Sequence, residues 1–149
     1  MDEAARQALA EATARAMYPR DHTTQHLGIV IEEVRPGYAR AAMEVKPFMV
    51  NGHDILHGGM CFTLADTAFA YCCNSHDVVT VASACSISFL APGKLGDRLV
   101  AEATEVIKAG RAGVTDVTVR TDAGKVIALF RGNSRSLSGR ITQGEEPPL

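Results

Sequence analysis

Hydrophobic alternation with a period of two runs through most of this chain and is interrupted once by a long apolar block. In HLGIVIEEVRPGYARAAMEVK, Ile29 and Ile31 alternate, Val34 follows with a phase slip, and Pro36-Gly37 makes a turn. Ala39, Ala41, Met43 and Val45 alternate again, so the segment predicts a hairpin of two strands. From Val78 onward, VVTVASACSISFL is rich in β-branched residues and reads as a third strand. RLVAEATEVIKAG, VTDVTVRTDAG and KVIALFRGNSRSL follow as three more, with turns at Ala109-Gly110 and Asp122-Ala123-Gly124. Two segments have helical texture. Residues 2–18 are alanine-rich, with Asp2 placed to cap, Pro19 to stop the helix, and a weak stripe of Ala5, Leu9, Ala12 and Ala16. Residues 59–75 contain good helix formers and no proline or glycine after Gly59. Between the hairpin and this second helix, PFMVNGHDILHGG reads as a loop.

The predicted order is helix, hairpin, long helix, four strands. An antiparallel sheet of about six strands has one face to cover, and one helix covers it, which is an α+β architecture. No repeat and no linker divides the chain, so residues 1–149 are expected to form one domain, with residues 1–20 as its N-terminal helical segment. SGRITQGEEPPL is polar and proline-containing, and residues 137–149 are expected to be a mobile tail.

The long helix is apolar on every side. Met60, Phe62, Leu64, Ala65, Ala68, Phe69, Ala70, Cys72 and Cys73 spread around its wheel. Such a helix is buried on every side, yet one sheet cannot wrap it. A second copy of the chain is the simplest cover, so a homo-oligomer is expected. Asp66 sits inside this apolar run, and no lysine or arginine occurs between Pro47 and Gly93. A buried acid is costly unless paired. It could accept a hydrogen bond from Thr63 or Thr67 or meet an arginine from a distant strand; alternatively it is kept for chemistry.

Composition narrows the function. The net charge of −2 gives no basic excess, so a nucleic-acid partner is not expected. No apolar run reaches the ~18 residues of a membrane span, and the N-terminus lacks the apolar core of a secretory signal. A cytoplasmic protein with reduced cysteines at 61, 72, 73 and 85 follows as the expectation. His53 and His57 are four apart, but glycines break any helix there and no third ligand is evident, so no metal is expected. Cys61 near a helix start could have a lowered pKa, but no histidine is placed to activate it, and a buried thiol is the simpler reading.

His57-Gly58-Gly59 stands directly before the long helix. The first backbone N–H groups of a helix lack intrahelical partners and carry the positive end of its dipole, which suits a developing oxyanion. Asn51 and His57 flank that position as neutral hydrogen-bonding groups. Gly59 and Asp66 are about 10 Å apart along a helix axis, too far to grip one carbonyl. In a symmetric dimer with the helices side by side, Gly59 of one subunit can face Asp66 of the other.

NGHDILHGGMCFTLADTAFAYCCNS, VASACSISFLAPGKLGD and ALFRGNSR closely resemble the hotdog-fold acyl-CoA thioesterases of the phenylacetate-degradation (PaaI-type) branch. The resemblance covers roughly residues 25–140 and is most specific over 51–75 and 81–97. It implies a sheet wrapped round a central helix, paired subunits commonly assembled as a dimer of dimers, active sites at the dimer interface, and a coenzyme A thioester as substrate. By the same resemblance, Asp66 is the catalytic carboxylate, and Gly58 and Gly59 supply the N–H that polarises the thioester carbonyl. Asn51 helps to place carbonyl or water, and His57 shapes the loop. Arg131 and Arg135, beside Ser134, are the candidates for the coenzyme A phosphates on family grounds. Thr67 could orient water or ligand, or be a plain helix threonine. Phe62 and Phe69 are read as core or interface packing, with lining of the acyl pocket as a further role.

A dipole trap for the oxyanion and help for the attacking water suffice for thioester hydrolysis. Asp66 could act as general base or as a nucleophile forming a mixed anhydride. No cofactor is expected beyond the coenzyme A of the substrate. The expected activity is hydrolysis of phenylacetyl-CoA or ring-hydroxylated forms to acid and free coenzyme A. A broad medium-chain acyl-CoA thioesterase and a non-catalytic acyl-CoA sensor are the alternatives. A hydratase would want an Asp/His pair in another arrangement.

Overall fold

The computed structural model describes residues 1–144. Helix α1 (Glu3–Met17) starts where the Asp2 carboxylate accepts the Ala5 N–H at 2.7 Å, and it runs into a 3-10 turn at Tyr18–Arg20. A short helix α2 (His22–His26), capped by Asp21, was not apparent in the hydrophobic pattern. Strands β1 (Val30–Arg35) and β2 (Tyr38–Glu44) form the predicted hairpin. Its register shifts between Ile31 and Glu33, which is the phase slip seen before Val34. Helix α3 (Gly58–Cys73) follows, then β3 (Thr80–Phe89), β4 (Arg98–Ala109), β5 (Ala112–Thr121) and β6 (Val126–Ser136). Every pairing is antiparallel, in the order β1-β2-β4-β5-β6-β3. This is the expected α+β arrangement, a six-stranded antiparallel sheet packed against one long helix. No described helix is long and apolar enough to cross a membrane.

The helix lies close to the sheet because the floor beneath it is built from small side chains. Ala39 and Ala41 of β2 and Ala101 and Ala103 of β4 point inward and are fully covered. Leu64, Ala65, Ala68, Phe69 and Cys72 of α3 fill the space above them. On β6 the approach is closer still: a Cβ on Gly132 would stand 2.7 Å from the Phe69 ring. Phe69 in turn packs on Phe130, with ring centroids 5.7 Å apart. Both ends of α3 are tied down. His57 caps the start, and at the finish the Asn74 side chain donates to the Ala70 and Thr80 carbonyls and accepts the Thr80 N–H.

The C-terminal segment differs from the sequence expectation. Within the described residues it is pinned, because the buried Asp77 carboxylate needs donors. Thr142 gives it two, its N–H at 2.9 Å and its hydroxyl at 2.7 Å, and Arg140 lies 3.7 Å away. Leu137 N–H also donates to the Val79 carbonyl. Residues 145–149 of the expected tail lie outside the described residues.

Gly132→Ala should lift α3 off β6 and cost about 1–3 kcal/mol, the usual range for overpacking a core. Urea unfolding measures this; an unchanged midpoint would mean that Phe69 can yield without loss.

Candidate active site

The loop ahead of α3 is wired by its own backbone. Asn51 N–H donates to the Ile55 carbonyl, His57 N–H to Met49, and Leu56 N–H to Gly93. Asp54 closes the turn with φ of 59°, a left-handed conformation that aspartate tolerates better than most residues. The Asn51 side-chain oxygen accepts the N–H groups of His53 and Ile55 at 2.9 and 3.4 Å. That fixes the carboxamide and leaves its NH2 with no partner among the described residues.

The two glycines turn out to have different jobs. Gly59 N–H donates to His57 Nδ1 at 2.9 Å, so this donor is used by the cap. An imidazole accepting at Nδ1 carries its proton on Nε2. A Cβ on Gly59 would stand 3.0 Å from that nitrogen, which accounts for glycine at 59. Gly58 N–H donates to no described residue. A Cβ there would stand 2.9 Å from Phe89 Cζ, so a larger residue at 58 would push that exposed ring aside. Of the pair, Gly58 offers the open donor at the positive end of α3, beside the open NH2 of Asn51.

Asp66 lies on the one face of α3 that the sheet leaves uncovered. Gly59, Phe62, Thr63, Asp66 and Ala70 are exposed or half-buried and recur at helical spacing, while Leu64, Ala65, Ala68 and Phe69 are buried. The Asp66 carboxylate accepts no hydrogen bond and meets no cation among the described residues. Burial alone pushes its pKa up from the usual aspartate value. The threonines proposed as its partners are occupied elsewhere: Thr63 hydroxyl donates to the Gly59 carbonyl and Thr67 hydroxyl to the Thr63 carbonyl. Gly58 and Asp66 are about 12 Å apart along the axis, so within one protomer the open donor and the acid cannot share a carbonyl.

Other expected site residues fall elsewhere. Thr67 is buried, turned one helical step away from the uncovered face; Thr63 occupies the place expected of it, at i−3 from Asp66. Helical spacing from Gly59 would have found Thr63. Phe62 is half-buried and stacks edge-on against Phe130, with centroids 5.3 Å apart. Strand alternation sends Ser134 inward and sets Arg131 and Arg135 together on the outward face of β6. Arg131 is also engaged by Asp116 in a two-pronged pair of 2.6 and 2.8 Å, which lowers the Asp116 pKa. Arg135 is exposed and makes no ion pair among the described residues. All four cysteines are free, and burial pushes the Cys61 thiol up to about 11, away from nucleophilic use at neutral pH. Among the described residues no three His, Cys, Asp or Glu side chains gather as a metal site.

Residues 53–128 match the family model of the thioesterase superfamily. The chain is 46% identical to the acyl-coenzyme A thioesterase PaaI of Escherichia coli K12 over 129 residues, 87% of this chain and 92% of that protein. The solved structure of the E. coli PaaI protein from the phenylacetic acid degradation operon superposes with a TM-score of 0.88 at 44% identity, covering 90% of this chain and 97% of that one. A Streptococcus mutans UA159 protein solved with acetyl CoA bound matches with a TM-score of 0.73 at 27% identity, covering 75% of this chain and 90% of that one.

Burial that raises the Asp66 pKa has a stability consequence with a definite sign. The folded state holds the Asp66 proton more tightly than the unfolded chain does. Stability is therefore lost as pH rises from the unfolded pKa through the raised folded one, and the ionised group is a cost at neutral pH. Asp66→Asn should melt at a higher temperature than wild type at neutral pH, and the gap should close below the ordinary aspartate range of ~3.9. Thermal melts at both pH values test this; a gap that persists in acid would show that Asp66 is not the titrating cause.

Proposed function

The chain belongs to the thioesterase superfamily and is a thioester hydrolase, and we propose that its substrates are acyl-coenzyme A thioesters carrying arylacetyl groups, phenylacetyl and its ring-hydroxylated forms, within phenylacetate breakdown. One observation carries this reading. Two donors without partners among the described residues, Gly58 N–H and Asn51 NH2, belong to residues that border one pocket at the start of α3, and an unpartnered carboxylate stands farther along the same helix. The likeness to E. coli PaaI supports the arylacetyl group. The acetyl CoA held by the S. mutans relative supports the coenzyme A half of the substrate.

In this proposal the thioester carbonyl oxygen lies between Gly58 N–H and Asn51 NH2. Both donors are held by the loop before charge develops, so little reorganisation opposes the reaction. Asp66 of the partner subunit takes a proton from water, and the water oxygen bonds to the carbonyl carbon. The C–S bond then breaks and coenzyme A leaves as the thiolate. A carboxylate with a raised pKa and no donors around it is a better base than an exposed one. The reaction draws on water and protein groups, with coenzyme A present only as part of the substrate.

The reading needs two copies, because the donors and the acid of one chain are too far apart. Strand β3 supports such a pairing. It is an edge strand with Val81 38% and Phe89 56% exposed, and an open edge of this kind invites a second strand. Two β3 edges meeting across a twofold axis would set the uncovered faces of two α3 helices side by side. A dimer of such dimers is the proposed assembly.

Wild type should release thiol from phenylacetyl-CoA faster than from fatty acyl-CoA esters, and Asp66→Asn should lose about 10²–10⁴-fold in kcat. Retained activity in the folded mutant would remove Asp66 from the chemistry. Sharing of the site is tested by co-expressing Asp66→Asn with Asn51→Ala. Mixed dimers keep one intact site, so roughly a quarter of wild-type activity should return in the pooled protein if sites span the interface, and none if each chain forms its own.

A further inference from the structure

Beside Gly58, the loop, the start of α3, the end of β3 with the segment after it, and β6 border an open chamber of about 500 Å³. Asn51 and Gly58 both border it, and its remaining wall is largely apolar: Ile55, Leu56, Cys61, Phe89, Leu90 and Ile127. The volume falls within the ~300–1,000 Å³ of small-molecule sites. The chamber belongs to one protomer, and it opens beside the two donors proposed to hold the carbonyl.

A thioester carbonyl has two substituents. The sulfur leads to a long, hydrated arm that ends in phosphates, and an apolar chamber offers those groups no partners. The acyl group is apolar, and its burial contributes about 25 cal/mol per Å² removed from water. The exposed ring of Phe89, set against Gly58, gives an aryl group an aromatic neighbour as well.

Not every wall can set the size of this space. Leu56 and Ile127 are 7% and 2% exposed, and both press on Gly93, where a Cβ would stand 3.1 Å from Leu56 and 3.5 Å from Ile127. They are wedged. Cys61 differs: it lies three residues after Gly58, on the same side of α3 and one turn deeper. It is buried, and its thiol stays neutral, so it acts as a small apolar wall in a place that a larger residue would fill.

Resting on the thioesterase reading, we infer that the acyl group of the substrate lies in this chamber and that Cys61 sets the largest acyl group it accepts. The test compares wild type, Cys61→Ala and Cys61→Leu on acetyl-CoA, phenylacetyl-CoA and naphthylacetyl-CoA. Cys61→Leu should lower the ratio of kcat/KM for phenylacetyl over acetyl by about tenfold or more, and Cys61→Ala should raise the ratio for naphthylacetyl over phenylacetyl by about tenfold, the scale of one or two methylenes in a pocket. Equal slowing on all three esters by Cys61→Leu would place the pantetheine arm in the chamber and overturn the assignment. Unchanged ratios in both variants would put the acyl group elsewhere. If Cys61→Leu fails to fold, the Cys61→Ala ratio decides alone. Turnover by wild type with unshifted ratios refutes this assignment and leaves the thioesterase reading standing, whereas no turnover of any ester by wild type would refute both.

Discussion

The close seating of α3 on the sheet is the interaction on which the rest depends. Alanines at 39, 41, 101 and 103 and the bare backbone at Gly132 let the helix sink until Phe69 touches β6. A helix held that low buries one side completely and presents the other outward. The outward side carries Phe62, Thr63, Asp66 and Ala70, neither fully apolar nor well solvated. Such a surface suits a second helix of the same kind, and it places a carboxylate where water is scarce and no cation reaches it.

The cost of that carboxylate and its basicity have one cause. Desolvation raises the pKa and weakens the fold at neutral pH, and the same desolvation makes the ionised group more basic toward a water proton. A nearby arginine would stabilise the protein and blunt the base. The protein instead keeps its cations on other faces. Arg98, Arg40 and Arg131 are spent on Glu32, Asp122, Glu33 and Asp116. These sheet arginines meet carboxylates, whereas Asp66 on the helix meets no cation among the described residues.

The loop before α3 leaves hydrogen-bond donors open at a helix start without using a charged residue. Most backbone N–H groups of residues 49–57 are already bonded within the loop or to the segment beside it. His57 takes up the Gly59 donor and the Asn51 oxygen is held by two N–H groups, while Gly58 N–H and the Asn51 amide keep no partner among the described residues and both border the same pocket. Phe89, leaning on Gly58, joins this donor pair to the apolar chamber beside it.

Much of this was legible in the sequence. Alternation gave all six strands and even the slip at β1, because side chains of a half-buried sheet must alternate. The apolar block gave α3, and the lone acid within it marked Asp66. The spacing from the His-Gly-Gly start to Asp66 set the helix start and the acid far apart on one helix, since helical rise is fixed. Tertiary structure alone decided which glycine is the free donor, because that depends on where the His57 ring turns. It also decided that Thr63 rather than Thr67 shares the face of Asp66, since the uncovered side is known only once the sheet is in place. The separation of Ser134 from Arg131 and Arg135 lay in the period of the strand, but the pairing of Arg131 with Asp116 depends on a register between strands that local sequence does not set. Nor could the sequence anticipate that Thr142 would fold back onto Asp77, a contact between residues far apart in the chain. Periodicity is a local property and is written in the chain; who meets whom across the fold is set by packing.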